Sequence, residues 1–146
     1  MLIVTLLLSG CSFFKSDEQL MKDKINSFVT SYNSGDVEGM IDTLDSQSRQ
    51  IAKSTLELSD TLISSLTGIS VSVKDVFALC ISFSDDFDTL TIVSFDDFQV
   101  GESTATVSVT VAGEKSGTEE TEQAEFKMKK ENGDWYINDF YGIGGL

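Results

Sequence analysis

The chain has 146 residues, enough for one ordinary domain and little more, and its 40% hydrophobic and 23% charged residues exclude a disordered polypeptide. Ten Lys and Arg stand against 24 Asp and Glu, a net charge of -14 that argues against a phosphate-binding face and against nucleic acid as a partner. There is no His, which removes His-based triads, His metal sites and the usual neutral-pH proton shuttle, and two Cys cannot make a disulfide framework.

The chain opens on its only long apolar run, Met1-Leu-Ile-Val-Thr-Leu-Leu-Leu8, followed by Ser9-Gly10-Cys11-Ser12. The run is too short for a bilayer-spanning helix, which needs about 20 residues. It has the length and small-residue ending of a secretory signal. Leu8-Ser9-Gly10-Cys11 resembles the lipobox of bacterial lipoproteins, although no Lys or Arg precedes the apolar run. The resemblance implies that the Cys11 thiol receives a diacylglyceryl group and that cleavage makes Cys11 the new N-terminus. The alternative is a buried first element with an incidental Cys. At -14 the chain is repelled by anionic headgroups, whereas two acyl chains on one Cys suffice for stable attachment. The expected organisation is a removed signal peptide over 1–10, a lipid-anchored tether over 11–18 and one domain over 19–146. The membrane is then the partner of the anchor, on the extracytoplasmic face.

Leu20, Met21, Ile25, Phe28, Val29 and Tyr32 recur at helical spacing and predict a helix from Asp17 to Asn33. Asn33-Ser34-Gly35 supplies the stop, and Asp36 is a good N-cap for a short helix carrying Val37, Met40, Ile41 and Leu44. A third helical pattern runs from Ser48 to Leu66 and ends at Gly68. Beyond it Ile69, Val71 and Val73 alternate as in a strand, while Val73, Val76, Phe77, Cys80 and Phe83 favour a helix from Val73 to Phe83. Cys80 in that block reads as a small buried hydrophobe.

From Thr89 the period becomes two. Leu90, Ile92, Phe98 and Val100 share one phase while Val93 and Phe95 break it, which predicts a bulge or bend around Ser94 to Asp97. Ala105, Val107, Val109 and Val111 alternate with Thr and Ser, and Ala124, Phe126 and Met128 alternate with Glu and Lys. Gly113 to Thr118 is read as a hairpin loop, and Asn132-Gly133 as a two-residue turn into Trp135-Tyr-Ile-Asn-Asp-Phe140. Trp135 is expected in the core, with Tyr136 on the opposite face. Glu119, Glu120 and Glu122 are expected to charge a sheet edge or hairpin tip.

Helices followed by an antiparallel meander of about four strands predict an α+β domain with its helices on one face of the sheet. The first helix ending Tyr32-Asn33-Ser34-Gly35-Asp36-Val37, the short helix through Met40 and Leu44, and the hairpin from Phe126 to Ile137 resemble the nuclear transport factor 2-like superfamily, the cystatin-like cone. Within it the chain looks most like small bacterial lipoproteins of unknown function. The resemblance implies a strongly curved sheet wrapped around a long helix, with a cavity between them. Relatives include ketosteroid-isomerase-like and polyketide-cyclase-like enzymes, binding modules, and proteins that dimerise through the sheet, so fold alone does not choose a function.

An enzyme in such a cone needs an interior carboxylate and a donor for the developing oxyanion. Asp96 shares the phase of Leu90, Ile92 and Phe98 and would point inward from an unbulged strand, with the Tyr32 phenol as donor. The plainer readings are a solvated Asp at a strand bend and a Tyr at the core edge. Asp85, Asp86 and Asp88, near Asp96 and Asp97, group carboxylates as a calcium site does, but lack the Gly and distal Glu of an EF-hand loop. A solvated acidic loop is the simpler account. No cofactor motif is present. The expected function is a lipid-anchored, non-catalytic module that takes a small apolar ligand in its cone or a protein partner on its sheet. The alternatives are a small isomerase, cyclase or hydrolase using Asp96 and Tyr32, and an envelope protein forming a homodimer through its sheet.

Overall fold

A computed structural model describes residues 15–65 and 88–141. The signal segment, Cys11, the expected helix from Val73 to Phe83 with Cys80, and Asp85 and Asp86 lie outside the described residues.

Helix α1 spans Asp17–Ser34. The Ser16 hydroxyl accepts a hydrogen bond from the Gln19 N–H at 3.2 Å, and Asp17 and Glu18 sit at the positive end of the helix dipole. Gly35 ends the helix at φ 70°, a left-handed conformation that glycine adopts without penalty. Its N–H donates to the Tyr32 carbonyl at 3.1 Å and the Asp36 N–H to the Ser31 carbonyl at 2.8 Å, the paired bonds of a Schellman cap. Asp36 also caps α2 (Val37–Asp42), accepting from the Gly39 N–H at 3.0 Å, so two helices meet with no spare residue. Helix α3 spans Ser46–Ser65, starting two residues before the expected Ser48.

Strands β1 (Thr89–Val100), β2 (Thr104–Lys115), β3 (Thr118–Glu131) and β4 (Asp134–Tyr141) form an antiparallel sheet in the order β1-β2-β3-β4. The β3–β4 turn is Asn132-Gly133, at φ 54° and 85°. The β2–β3 turn is Ser116-Gly117, at φ 50° and 80°. Positive φ at both residues marks the tight turn whose twist matches the strands it joins. The loop expected from Gly113 is therefore shorter, and Gly113 stays in β2 opposite Leu90 and Glu120.

The apolar stripe of α1 packs on one face of the sheet. Met21, Ile25, Phe28, Met40, Val107, Val109, Phe126, Trp135 and Ile137 have no exposed surface. Each of the larger side chains contributes about 1.5–3 kcal/mol by leaving water. Phe28 meets Phe126 edge to face, with centroids 6.3 Å apart and ring planes at 73°. Helix α1 touches both edge strands, β1 and β4, as a sheet curled around it must.

Two polar devices close the sheet margins. The Asn33 side-chain amide donates to the Leu90 carbonyl at 2.7 Å and accepts from the Leu90 N–H at 2.8 Å, imitating a neighbouring strand at the start of β1. Along β4, Ile137 donates to the Thr43 carbonyl and accepts from the Asp45 N–H, both at 2.9 Å, so residues 43–45 lie beside β4 as a one-bridge parallel partner. Both contacts protect an edge from pairing with another chain.

Candidate functional site

The space between α1 and the sheet is the first place to look for a site. Among the described residues it is occupied by the apolar side chains named above. Tyr32 lies there too, 6% exposed, and is part of the core cluster rather than the rim of an open chamber.

Asp96 is not its neighbour. The β1–β2 register shifts once between Ile92 and Ser94 and again between Phe95 and Asp97. The positions packed against the core therefore fall at Ile92, Phe95 and Phe98, three residues apart instead of two. Each shift turns the chain by one side, so Asp96 emerges on the outer face, exposed. There it accepts from the Ser94 hydroxyl at 2.5 Å and the Thr110 hydroxyl at 2.7 Å. Those donors hold its carboxyl below the usual carboxylate range, opposite to the raised value an interior base requires. The expected Asp96–Tyr32 pair is thus not assembled, because the bulge sits at the residues that would have carried it. Asp88, the described member of the acidic loop, is exposed just before β1.

One buried carboxylate among the described residues, Asp45, was not singled out from the sequence. Asp45 has no exposed side-chain surface and sits where α3 begins. Its Oδ1 accepts from the Ser48 N–H at 3.1 Å, capping α3, and its Oδ2 is 3.5 Å from Lys129 Nζ. Lys129 reaches Glu131 at 3.3 Å, and Glu131 accepts from both the N–H (3.1 Å) and the hydroxyl (2.9 Å) of Ser46. Arg49, one turn into α3, donates to the carbonyls of Leu44 (3.0 Å) and Asp42 (3.3 Å) and lies 5.3 Å from the centre of the Tyr136 ring. Lys24 approaches the same ring at 4.3 Å while pairing with Asp134 at 3.0 Å.

Burial alone would raise the Asp45 carboxyl, but the hydrogen bonds from Ser48, and then Lys129, outweigh it and leave it lowered. Hydrogen bonding from Ser46 lowers Glu131, and pairing with Glu131 raises Lys129. All three shifts favour the charged forms, so the cluster holds ions in place instead of poising a proton near neutrality. It fastens the start of α3 to β3 and β4. An Asp just ahead of a helical stretch was a readable N-cap, but the two-residue difference in where α3 begins hid it.

An open groove of about 510 Å³ crosses the sheet, lined by Gln99, Val100, Gly101, Thr104, Ala105, Thr106, Lys127, Met128 and Asn138. Gln99, Thr106 and Lys127 stand on one register row across β1, β2 and β3. Exposed amide, hydroxyl and ammonium groups make this a surface for polar contacts.

No protein-family model and no curated protein sequence matches the chain. Solved structures do. A nuclear transport factor 2-like protein of unknown function from Shewanella oneidensis superposes with a TM-score of 0.54 at 11% identity, over 87% of this chain and 98% of that one. A domain of unknown function with a cystatin-like fold from Nostoc punctiforme gives 0.53 at 13%, over 91% and 80%. The chain has the nuclear transport factor 2-like fold. A further nuclear transport factor 2-like protein, from Anabaena variabilis, agrees at 0.52 and 14% identity, over 94% of this chain and 96% of that one. Such low identities establish the architecture of this nuclear transport factor 2-like domain and carry no site residue across.

Proposed function

We propose that the protein is a lipid-anchored, extracytoplasmic interaction module: a nuclear transport factor 2-like domain held at the membrane through Cys11 and engaging a partner with its outer surfaces. The observation that carries the interaction role is the close apolar packing between α1 and the sheet among the described residues. Trp135, Phe126, Phe28 and Ile137 have no exposed surface, and among the described residues the open grooves lie on outer surfaces, one across the sheet and one along α1. The lipobox-like Leu8-Ser9-Gly10-Cys11 supports the anchor. A homodimer through the sheet would use its outer face, whose centre is the hydroxyl row Thr104, Thr106, Ser108 and Thr110. Such a row suits wet, polar contacts better than a large apolar dimer interface.

Detergent phase partitioning with mass spectrometry of the N-terminal peptide tests the anchor. The full chain is expected in the detergent phase with diacylglyceryl on Cys11, and Cys11→Ser in the aqueous phase. An unacylated, aqueous wild type overturns it. Native mass spectrometry of the purified domain tests the interaction role, because a stoichiometric apolar ligand would return the cone to use as a binding chamber. Sedimentation of the unlipidated form reads the dimer.

A further inference from the structure

The two ends of the domain differ in charge, and the anchor leaves from only one of them. The N-terminus of α1 lies beside the end of β3, with Asp17 2.9 Å from Lys130 Nζ. The Lys130 N–H in turn donates to the Ser103 carbonyl at 2.8 Å, bringing in the β1–β2 turn. The β3–β4 turn at Asn132-Gly133 is at this same end. The C-terminus of α1 reaches the opposite end, where Asn33 holds Leu90 near the β2–β3 hairpin.

At the α1 start, four lysines are paired with carboxylates: Lys15 with Asp23 (2.5 Å), Lys24 with Asp134 (3.0 Å), Lys129 with Glu131 (3.3 Å), and Lys130 with Asp17 (2.9 Å), while Glu18 and Glu102 are exposed there. Lys22 lies over the stacked rings of Phe95 and Phe98, at 5.7 and 5.2 Å, and Val100 beside them is 43% exposed. An end where most carboxylates are paired with lysines and Val100 is exposed suits a headgroup layer better than one whose exposed acids have few cations beside them. At the hairpin end, Asp88, Glu114, Glu119 and Glu120 are exposed, and Glu114 stands directly opposite Glu119.

From Cys11 to Asp17 the chain can span at most about 22 Å even when fully extended. Strand β3, with 14 residues, carries the hairpin roughly 40 Å from the α1 start. Resting on the anchoring reading above, we infer that the lipidated protein stands on the bilayer by the end that bears the α1 N-terminus and the β1–β2 and β3–β4 turns, with the acidic β2–β3 hairpin pointing away. The short tether keeps the first end close. Charge keeps the second end away: repulsion from anionic lipid acts within a Debye length of about 8 Å, so it opposes poses that bring Asp88, Glu114, Glu119 and Glu120 to the surface more than the upright one, which brings Glu18 and Glu102 beside lysines.

The test is paramagnetic broadening of backbone amide signals of the lipidated chain in nanodiscs of phosphatidylcholine and phosphatidylglycerol carrying a headgroup nitroxide. Glu102, Ser103, Asn132 and Gly133 should lose most of their intensity while Ser116, Gly117 and Thr118 keep theirs. Equal or stronger loss at the hairpin overturns the orientation. Flotation of the same chain on vesicles separates the two readings. A chain that floats but broadens at the hairpin refutes only the orientation, whereas a chain that does not float and is unacylated refutes the anchor and the orientation with it. Broadening at the turns of the Cys11→Ser chain would also refute the argument, since the tether would then not be what places this end at the membrane.

Discussion

Replacing Asp45 tests how much of the junction between α2, α3 and the sheet rests on one carboxylate. In Asp45→Ala the Ser48 N–H loses its acceptor and α3 its N-cap, a loss of about 1 kcal/mol in typical cases and up to about 2 where the cap is well packed. Lys129 is 39% exposed and keeps Glu131, so the broken ion pair adds little. Together these give about 1.5–2 kcal/mol, or about 5–7 °C in Tm for a domain of this size. Asp45→Asn keeps a capping oxygen and removes the charge, so it should cost less than half as much. Because the folded Asp45 carboxyl titrates below its unfolded value of about 3.9, its stabilisation is complete above that pH and is lost as pH falls through the lower, folded value. The gap between wild type and Asp45→Asn should therefore persist from pH 7 to about pH 5 and close below about pH 4. Urea unfolding of the unlipidated domain, followed by Trp135 fluorescence at each pH, measures all three. Asp45→Ala within about 0.5 kcal/mol of wild type, the range of an ordinary surface change, would refute the reasoning.

Trp135→Ala removes the largest fully buried side chain and should cost about 3–5 kcal/mol, measured by the urea midpoint followed by far-ultraviolet dichroism. Asn33→Ala strands the N–H and carbonyl of Leu90 and should cost about 1–2 kcal/mol, with faster hydrogen exchange at the Leu90 amide as the local signature. Gly133→Ala places a Cβ at φ 85° and should cost about 1 kcal/mol or more in thermal unfolding, without changing the sheet's dichroism. Asp96→Asn changes an exposed group on the outer face, so stability should stay within about 0.5 kcal/mol and any turnover found for the protein should survive. Loss of turnover in that variant would restore Asp96 to a catalytic role.

The packing between α1 and the sheet among the described residues also bears on how this domain is read among its structural neighbours. A cone is a shape that can be hollow or full, and which it is depends on side-chain volume, not on strand order. Here Phe28, Phe126 and Trp135 converge on the space that the fold encloses. The outer face, with its hydroxyl row and its groove, then becomes the place to look for recognition.

The amino-acid sequence by itself determined the elements and their order. Ser16, Gly35, Asp36 and Asn132-Gly133 act through their immediate neighbours, and the 3.6- and 2-residue periods of α1, β2 and β3 are properties of each element alone. The region of the β1 bulge was legible too, because Val93 and Phe95 break the alternation. Only the tertiary structure decided that the register slips twice, and with it the face on which Asp96 emerges. A slip is chosen by how Ile92, Phe95 and Phe98 meet the core, and each one-residue slip reverses every side chain beyond it. Asp45 followed the same logic: its neighbours in sequence mark a helix start, while its burial comes from β3 and β4, about ninety residues away, closing over it.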